Sequence, residues 1–376
     1  GLCFWLNLRV AAKSKNKPAS PRRGKRGQSG GGGVRWFLLL VIIGAGVWFW
    51  WHHQHPGKVV RQPVAVAPAV KKAPKRELKP LVLAKQFPQD FPRPVRDGFE
   101  AQVALARRVI SPGSIDGAVG SQTRAAISVF QQIEKIPVTG KLDTNTRPLL
   151  TLEAPVLTRY VVTSNDLACL QPLGATWLAK SEQTAMDYET LLEEVGEKSH
   201  SHPELIRQLN PSVNWTNVAV GTVLQIPDVQ YPEPADKAAF VEIHLSGRFL
   251  EAFDQSSNLL AHFPCSIAAK VEKRPVGELH VIVIAPHPNY TVDPALCPES
   301  AELQALGHKL ILPPGPNNPV GVACIGLDKP GYGMHGTPVP ELVGRTESHG
   351  CFRLANWDAE YLVKLVWVGM PVLVEP

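Results

Sequence analysis

The sequence predicts a multidomain chain. A C-terminal mostly-β domain (a sheet pair or barrel with one helix) follows a small three-helix domain and a small α+β module, behind one N-terminal transmembrane helix. Three observations predict this. Trp36 to Trp51 is an uncharged apolar run, WFLLLVIIGAGVWFWW. Residues 95–152 combine helix-period apolar positions with two glycine turns, and residues 238–376 hold short alternating runs broken by Gly and Pro. A length of 376 residues is more than one ordinary domain needs.

The N-terminal elements come first. The sixteen residues from Trp36 to Trp51 would span about 24 Å as a helix, against a hydrocarbon core of roughly 30 Å. Trp36 at one end and Trp48, Trp50 and Trp51 at the other suit the membrane interfaces. Lys13, Lys15, Lys17, Arg22, Arg23, Lys25, Arg26 and Arg35 lie upstream, and such a flank stays cytoplasmic. The expectation is a basic disordered cytoplasmic tail over 1–35, a single-pass anchor in the inner (cytoplasmic) membrane over 36–52, and everything later outside. A cleaved signal peptide is the competing reading, but the small-x-small step Ala65-Val66-Ala67 lies far beyond the apolar run. His52, His53 and His55 read as a polar flank rather than a metal site. Residues 53–94 form a linker, because Pro63, Pro68, Pro74, Pro80, Pro88, Pro92 and Pro94 exclude helix and central strand.

Charge separates the tail from the rest. The net charge of +6 misleads as an average: residues 1–76 hold 15 Lys or Arg and no acid, leaving 24 basic against 33 acidic residues beyond them. A mildly acidic folded part excludes nucleic acid as a partner.

In the next unit, Val103, Leu105, Val109 and Ile110 mark one helix. Thr123 is placed to cap a second, Arg124 to Ile133, and Thr146 to open a third. Two turns carry Asp116-Gly117-x-x-Gly120-x-x-Thr123 and Thr139-Gly140-x-Leu142-Asp143, with Phe130-Gln131 between them. In this order these features resemble the small three-helix peptidoglycan-binding domain, over 95–152. The resemblance implies glycan strands or stem peptides as partners. Residues 184–228 end in Leu209-Asn210-Pro211 and Gly221-Thr222-Val223-Leu224-Gln225-Ile226-Pro227. That ending resembles a LysM module, an α+β glycan-binding unit. Its usual Gly-Asp-Thr-Leu opening is missing, and Tyr188-Glu189-Thr190-Leu191 stands nearest to it.

Residues 238–376 carry the chemistry. Strands are expected over 240–245, 248–253, 279–285, 322–327 and 371–374, and a helix from about Trp357 to Val368. The motif is His335-Gly336-Thr337, then Ser348-His349-Gly350-Cys351-Phe352-Arg353. An ordinary thiol, with a pKa of about 8.5, is mostly protonated at neutral pH, and an adjacent imidazole can take its proton. Glycine before the thiol lets backbone amides approach a bound carbonyl.

The motif closely resembles the L,D-transpeptidase catalytic domain of the YkuD type, over 238–376. Arg274-Pro275-Val276-Gly277 and Asn318-Pro319-Val320-Gly321 support it, and Val283–Pro314 looks like a variable insertion. The resemblance implies Cys351 as nucleophile, His335 as base and then acid, and the Gly336 carbonyl as the group orienting the imidazole. Amides of His349, Gly350 and Cys351 would form the oxyanion site, with Ser348 and Arg353 as support. It implies no metal and no cofactor. A donor peptide stem would form a thioester on Cys351, resolved by an amine. Water as acceptor would make an L,D-carboxypeptidase, and a silent site would leave a wall-binding scaffold. Cys3, Cys169, Cys265, Cys297 and Cys324 have no zinc spacing. A disulfide among Cys265, Cys297 and Cys324 stays open, and Cys351 is expected free.

Overall fold

The chain is described here by a computed structural model covering residues 90–346, 348 and 350–376. The expected tail 1–35, anchor 36–52 and nearly all of the linker 53–94 lie outside them. No helix among the described residues is long and apolar enough to cross a membrane.

The helical unit starts earlier than expected. Strand β1, Arg93–Pro94, pairs antiparallel with β2, Thr151–Leu152, so the last linker residues belong to the fold. Helix α1 is Gly98–Ala106, and Asp97 caps it by accepting from the Glu100 amide. Helix α2 is Ser121–Ile133. Phe99, Val103, Ile127, Phe130, Leu150 and Leu152 form its core. Every α1 residue from Phe99 to Ala106 is buried, as in a helix enclosed on all sides. Glu100 is fully buried and holds Arg93 and Arg96, each at two carboxylate contacts of 2.6–2.9 Å. Burial pushes its carboxyl up, but those guanidinium bonds win and bring it to about 2.

Two buried glutamines staple the two glycine turns. Gln102 Oε1 accepts from the Asp116 and Gly117 amides, and its Nε2 donates to Asp116 Oδ1, the Ala118 carbonyl and Thr123 Oγ1. Gln131 Oε1 accepts from the Thr139 and Gly140 amides, while Nε2 donates to Thr139 Oγ1, the Lys141 carbonyl and Thr146 Oγ1. Gly117 and Gly140 have φ of 75° and 62°, which is where glycine is needed. Two expectations fail. Gly120 is the N-cap of α2, with no side-chain cap, and Thr123 sits inside the helix against Gln102. The third helix is only a turn: Thr146 accepts from the Leu149 and Leu150 amides, and the chain then enters β2. Pro148 has no N–H and disfavours the helical conformation at Arg147, which ends the run.

The α+β module also begins upstream of its expected start at 184. Its first strand is β3, Leu157–Val161. Helices α3 (Ser164–Ala168), α4 (Trp177–Ser181), α5 (Leu191–Lys198) and α6 (Pro203–Leu209) follow. Strand β4, Val223–Pro227, returns antiparallel to β3. Thr190 caps α5 and proline opens α6. Asn210 explains its place after α6. Its Oδ1 accepts from the Gln225 amide and its Nδ2 donates to the Gln225 and Ile206 carbonyls, tying helix to strand.

The C-terminal domain is one eight-stranded mixed sheet rather than a pair of sheets. Its strands are β5 (Phe240–His244), β6 (Phe249–Phe253), β7 (Leu259–Pro264), β8 (Gly277–Pro286), β11 (Ala323–Leu327), β12 (Gly333–His335), β13 (Phe352–Arg353) and β14 (Pro371–Glu375). The order is β13-β12-β11-β8-β14-β5-β6-β7. Residues from both ends, Leu250 and Phe263 as well as Met334 and Phe352, share one core, so the sheet wraps around it. Only the part of 283–314 beyond Pro286 is an insertion, because 283–286 belong to β8. It holds β9 (Tyr290–Val292), paired with β10 (Leu310–Leu312), and helix α7, Ala301–Leu306. Its core includes Met186 of the α+β module. Helix α8, Asn356–Leu365, is slightly shorter than expected.

The units are joined by backbone. Ile110 bridges to His262 of β7, and Ile115 bridges to Ser201. Ser111 Oγ and the Tyr231 hydroxyl donate to Asp358 on α8, a carboxyl that burial pushes up to about 7.

Candidate active site

Pairing between three strands assembles the site. His335 on β12 lies opposite Cys324 on β11 and opposite Arg353 on β13. Side chains alternate along a strand. Met334 and Phe352 point into the core, so His335 and Arg353 share the other face. Cys351 stands two positions before Arg353, just outside β13.

The imidazole is held in one tautomer. His335 Nδ1 lies 2.6 Å from the Gly336 carbonyl oxygen, which can only accept. The proton is therefore on Nδ1, and Nε2 carries the lone pair. His335 is only 5% exposed. Burial lowers its basicity to about 4, against the Gly336 bond, and the Arg353 charge lowers it further. At neutral pH the ring is neutral and able to take a proton.

The thiol of Cys351 is free and 6% exposed. Its Sγ lies 3.5 Å from the Gly331 carbonyl. Arg353 feels both partners: burial lowers its pKa, and Cys351 acts in the opposite direction. The Ser348 hydroxyl donates to the Cys351 carbonyl at 2.5 Å, and the Ser348 backbone bonds to Ile267 and Ala269. These bonds fix the chain that presents the thiol.

The oxyanion expectation changes at one position. The Gly350 amide donates to Ser348 Oγ at 3.2 Å, so in this structure it is turned to that hydroxyl. A two-residue step back to a serine oxygen is a local turn that competes for the amide. His349 lies outside the described residues. The backbone of Arg353 pairs with Ser266, which gives this residue a structural part as well.

Sequence reasoning missed Asn356. Its Oδ1 accepts from the Val322 amide at 3.3 Å and the Thr337 amide at 3.1 Å. Its Nδ2 donates to both Glu197 oxygens, at 3.1 and 2.9 Å, and to the Pro316 carbonyl at 3.1 Å. A Cβ on Gly336 or Gly321 would strike Asn356 Oδ1. An asparagine at the start of a helix reads as a cap, and that reading hides its work here. Glu197 comes from α5 of the other module. Burial pushes its carboxyl up to about 8, opposed by Asn356 and aided by Glu193 and Glu341. It lines a cavity of about 480 Å³ between that module and Pro338–Glu341, next to the His-Gly-Thr segment.

Comparison with known proteins agrees with this geometry. Residues 238–374 match the YkuD family model, an L,D-transpeptidase catalytic domain, and residues 99–150 match a putative peptidoglycan binding domain. The chain is 24% identical over 185 residues to the putative L,D-transpeptidase YkuD of Bacillus licheniformis, covering 49% of this chain and 93% of that protein. It is 29% identical over 178 residues to the probable L,D-transpeptidase YbiS of Escherichia coli K12, covering 44% of this chain and 53% of that protein, so it spans about half of YbiS. Among solved structures, L,D-transpeptidase 3 from Mycobacterium tuberculosis is 17% identical with a TM-score of 0.29, covering 43% of this chain and 77% of that one. The thiol and imidazole motif thus lies within an L,D-transpeptidase catalytic domain of the YkuD type, and the same chain carries a putative peptidoglycan-binding domain.

Proposed function

We propose that the chain transfers an acyl group from one cell-wall peptide stem to an amine, through a thioester on Cys351. The observation that carries this reading is the neutral, buried His335, its Nδ1–H committed to Gly336 and its lone pair on the face shared with Arg353. Nε2 takes the thiol proton as Sγ attacks the donor carbonyl. The C–S bond forms, and the carbonyl electrons move to oxygen. Amides around Cys351 face that oxygen; for the Gly350 amide to join them, its bond to Ser348 must break. When the C–N bond breaks, the imidazolium gives its proton to the departing D-residue amine. An acceptor amine then attacks the thioester, His335 takes its proton, and the thiol returns. Water in place of the amine would release the trimmed stem.

The other units serve delivery in this reading. Residues 99–150 hold the wall, and the 157–227 module is a LysM-like unit. The run Trp36–Trp51 anchors the chain at the outer face of the cytoplasmic membrane. The expected domain limits (36–52, 95–152, 184–228 and 238–376) are extended at the front of the helical and α+β units by β1 and β3.

The experiment combines purified wall fragments with mass spectrometry of stem products. Wild-type protein should yield cross-linked stems, and Cys351→Ala should yield none. A solved Mycobacterium tuberculosis L,D-transpeptidase 3 carries a faropenem-derived adduct. Faropenem should likewise add to the Cys351 peptide here. Equal labelling of wild type and Cys351→Ala would remove Cys351 from its role. Cys351→Ala protein should still co-sediment with wall sacculi.

A further inference from the structure

The contact between Glu197 and Asn356 crosses from one module to another and ends beside the catalytic base. Glu197 lies on α5 of the α+β module; Asn356 opens α8 of the C-terminal domain. Both are buried, at 8% and 2% exposure. The Asn356 carboxamide has no slack. Its oxygen serves two backbone amides and its nitrogen serves Glu197 and Pro316. One of those amides belongs to Thr337, the residue after Gly336, and the other to Val322, the residue after Gly321. Gly336 and Gly321 pack face to face beneath the carboxamide. Gly336 is the residue whose carbonyl receives the His335 proton at 2.6 Å.

We propose that Asn356 and Glu197 are positioning residues for His335: the Glu197 carboxyl orients the Asn356 carboxamide, which holds the Gly336–Thr337 peptide so that its carbonyl meets Nδ1. An asparagine side chain can flip, exchanging its oxygen for its nitrogen at little cost in shape. Here a flip would aim Nδ2 at two amide N–H groups and the oxygen at the Pro316 carbonyl, with only Glu197 able to adapt by its own protonation. A carboxyl that accepts from Nδ2 removes that alternative. The α+β module thereby contributes to the reactivity of a thiol in a different domain, without touching substrate. The inference rests on the reading of Cys351 and His335 as the reacting pair.

The test uses the full chain with two readouts. The first is alkylation of Cys351 by iodoacetamide at neutral pH, followed on the Cys351 peptide by mass spectrometry. It reports thiol activation whatever the natural donor is. The second is faropenem acylation, resolved into a saturating rate constant and a half-saturation concentration. Glu197→Leu cannot accept from Nδ2; Glu197→Gln can, through its amide oxygen. Glu197→Leu should slow Cys351 alkylation about tenfold and lower the saturating acylation rate without moving half-saturation, while Glu197→Gln stays within about twofold of wild type. Should Glu197→Leu fail to fold, Glu197→Ala carries the same comparison. Equal alkylation in folded wild type and Glu197→Leu overturns the proposal. So does a Glu197→Gln loss as large as that of Glu197→Leu. If faropenem fails to acylate even the wild type but alkylation still follows Glu197, the acyl-transfer reading fails and this one stands. The opposite pattern leaves acyl transfer standing and removes Glu197.

Discussion

Replacing Gln131 by alanine removes five hydrogen bonds at one stroke. Three are donated by Nε2, at 2.9, 3.1 and 2.7 Å, and two are accepted by Oε1, at 2.7 and 2.9 Å. The side chain is fully buried. At about 1 kcal/mol net per bond, the upper figure is about 5 kcal/mol. Water reaches the exposed Thr139 and Lys141 after the change, which returns part of that sum. Gly140 and Thr146 are buried and get no such relief. The net cost is about 3–4 kcal/mol, a large share of the roughly 5–15 kcal/mol that stabilises a domain. Hydrogen exchange on the full chain is the suitable assay, because several units unfolding together need not follow one transition. The Thr139 and Gly140 amides should lose about 3 kcal/mol of protection in Gln131→Ala. Gln131→Glu keeps an acceptor for both amides but loses the donated bonds, and should be nearly as costly. A loss under about 1 kcal/mol at Gly140 would refute the stapling argument.

Other outcomes follow from the same structure. Glu100→Ala leaves Arg93 and Arg96 without their shared carboxylate and should cost about 3–5 kcal/mol in urea unfolding; a cost near zero would mean that the pairs contribute nothing. Glu197 and Asp358 have folded pKa values near 8 and 7, above the ordinary 4.5 and 3.8 of the unfolded chain. The native state therefore binds more protons between those limits. Their stabilisation is complete below about pH 4 and is lost as pH rises through 7 and 8, at up to about 1.4 kcal/mol per pH unit per group. The thermal midpoint should fall between pH 6 and pH 9, and Asp358→Asn should flatten that fall; equal slopes in both proteins would refute the assignment. Gly336→Ala places a methyl against Asn356 Oδ1 and should cut faropenem acylation at least about tenfold in protein that remains folded. Asn210→Ala frees the Gln225 amide and carbonyl and should cost about 2–3 kcal/mol, read as faster exchange along β4.

Local chemistry was legible in the sequence, and distant contacts were not. The two glycine turns, the runs that became β5, β6, β8, β11 and β14, and the motif from His335 to Arg353 all depend on neighbours a few residues away. Thr146 shows a local rule overridden by another local rule, since Pro148 stopped the helix that its hydroxyl seemed to open. The start of the α+β module was missed because β3 is separated from its partner helices by 163–190, which pack partly against the C-terminal insertion. The pairing of β14 with β5 joins strands at opposite ends of a domain, and alternation within each strand carries no trace of it. Asn356 and Glu197 are 159 positions apart, and neither has a local pattern that points to the other. The Gly350 amide was assigned by motif alone, and the serine two residues earlier had an equal geometric claim on it.

The edge of the C-terminal sheet has a practical consequence for anyone cutting this chain. Strand β7 is the last in its sheet, and its outer side is occupied by the helical unit: Ser111 donates to the His262 carbonyl, and the His262 amide donates to Val109. A fragment beginning near residue 238 would leave those groups bare, inviting two copies to zip together along β7. The reciprocal fragment, 95–230, would strip cover from Val109 and Ile110. Severed pieces would then report stickiness of their own making, so wall affinity is better measured on uncut protein with the thiol disabled.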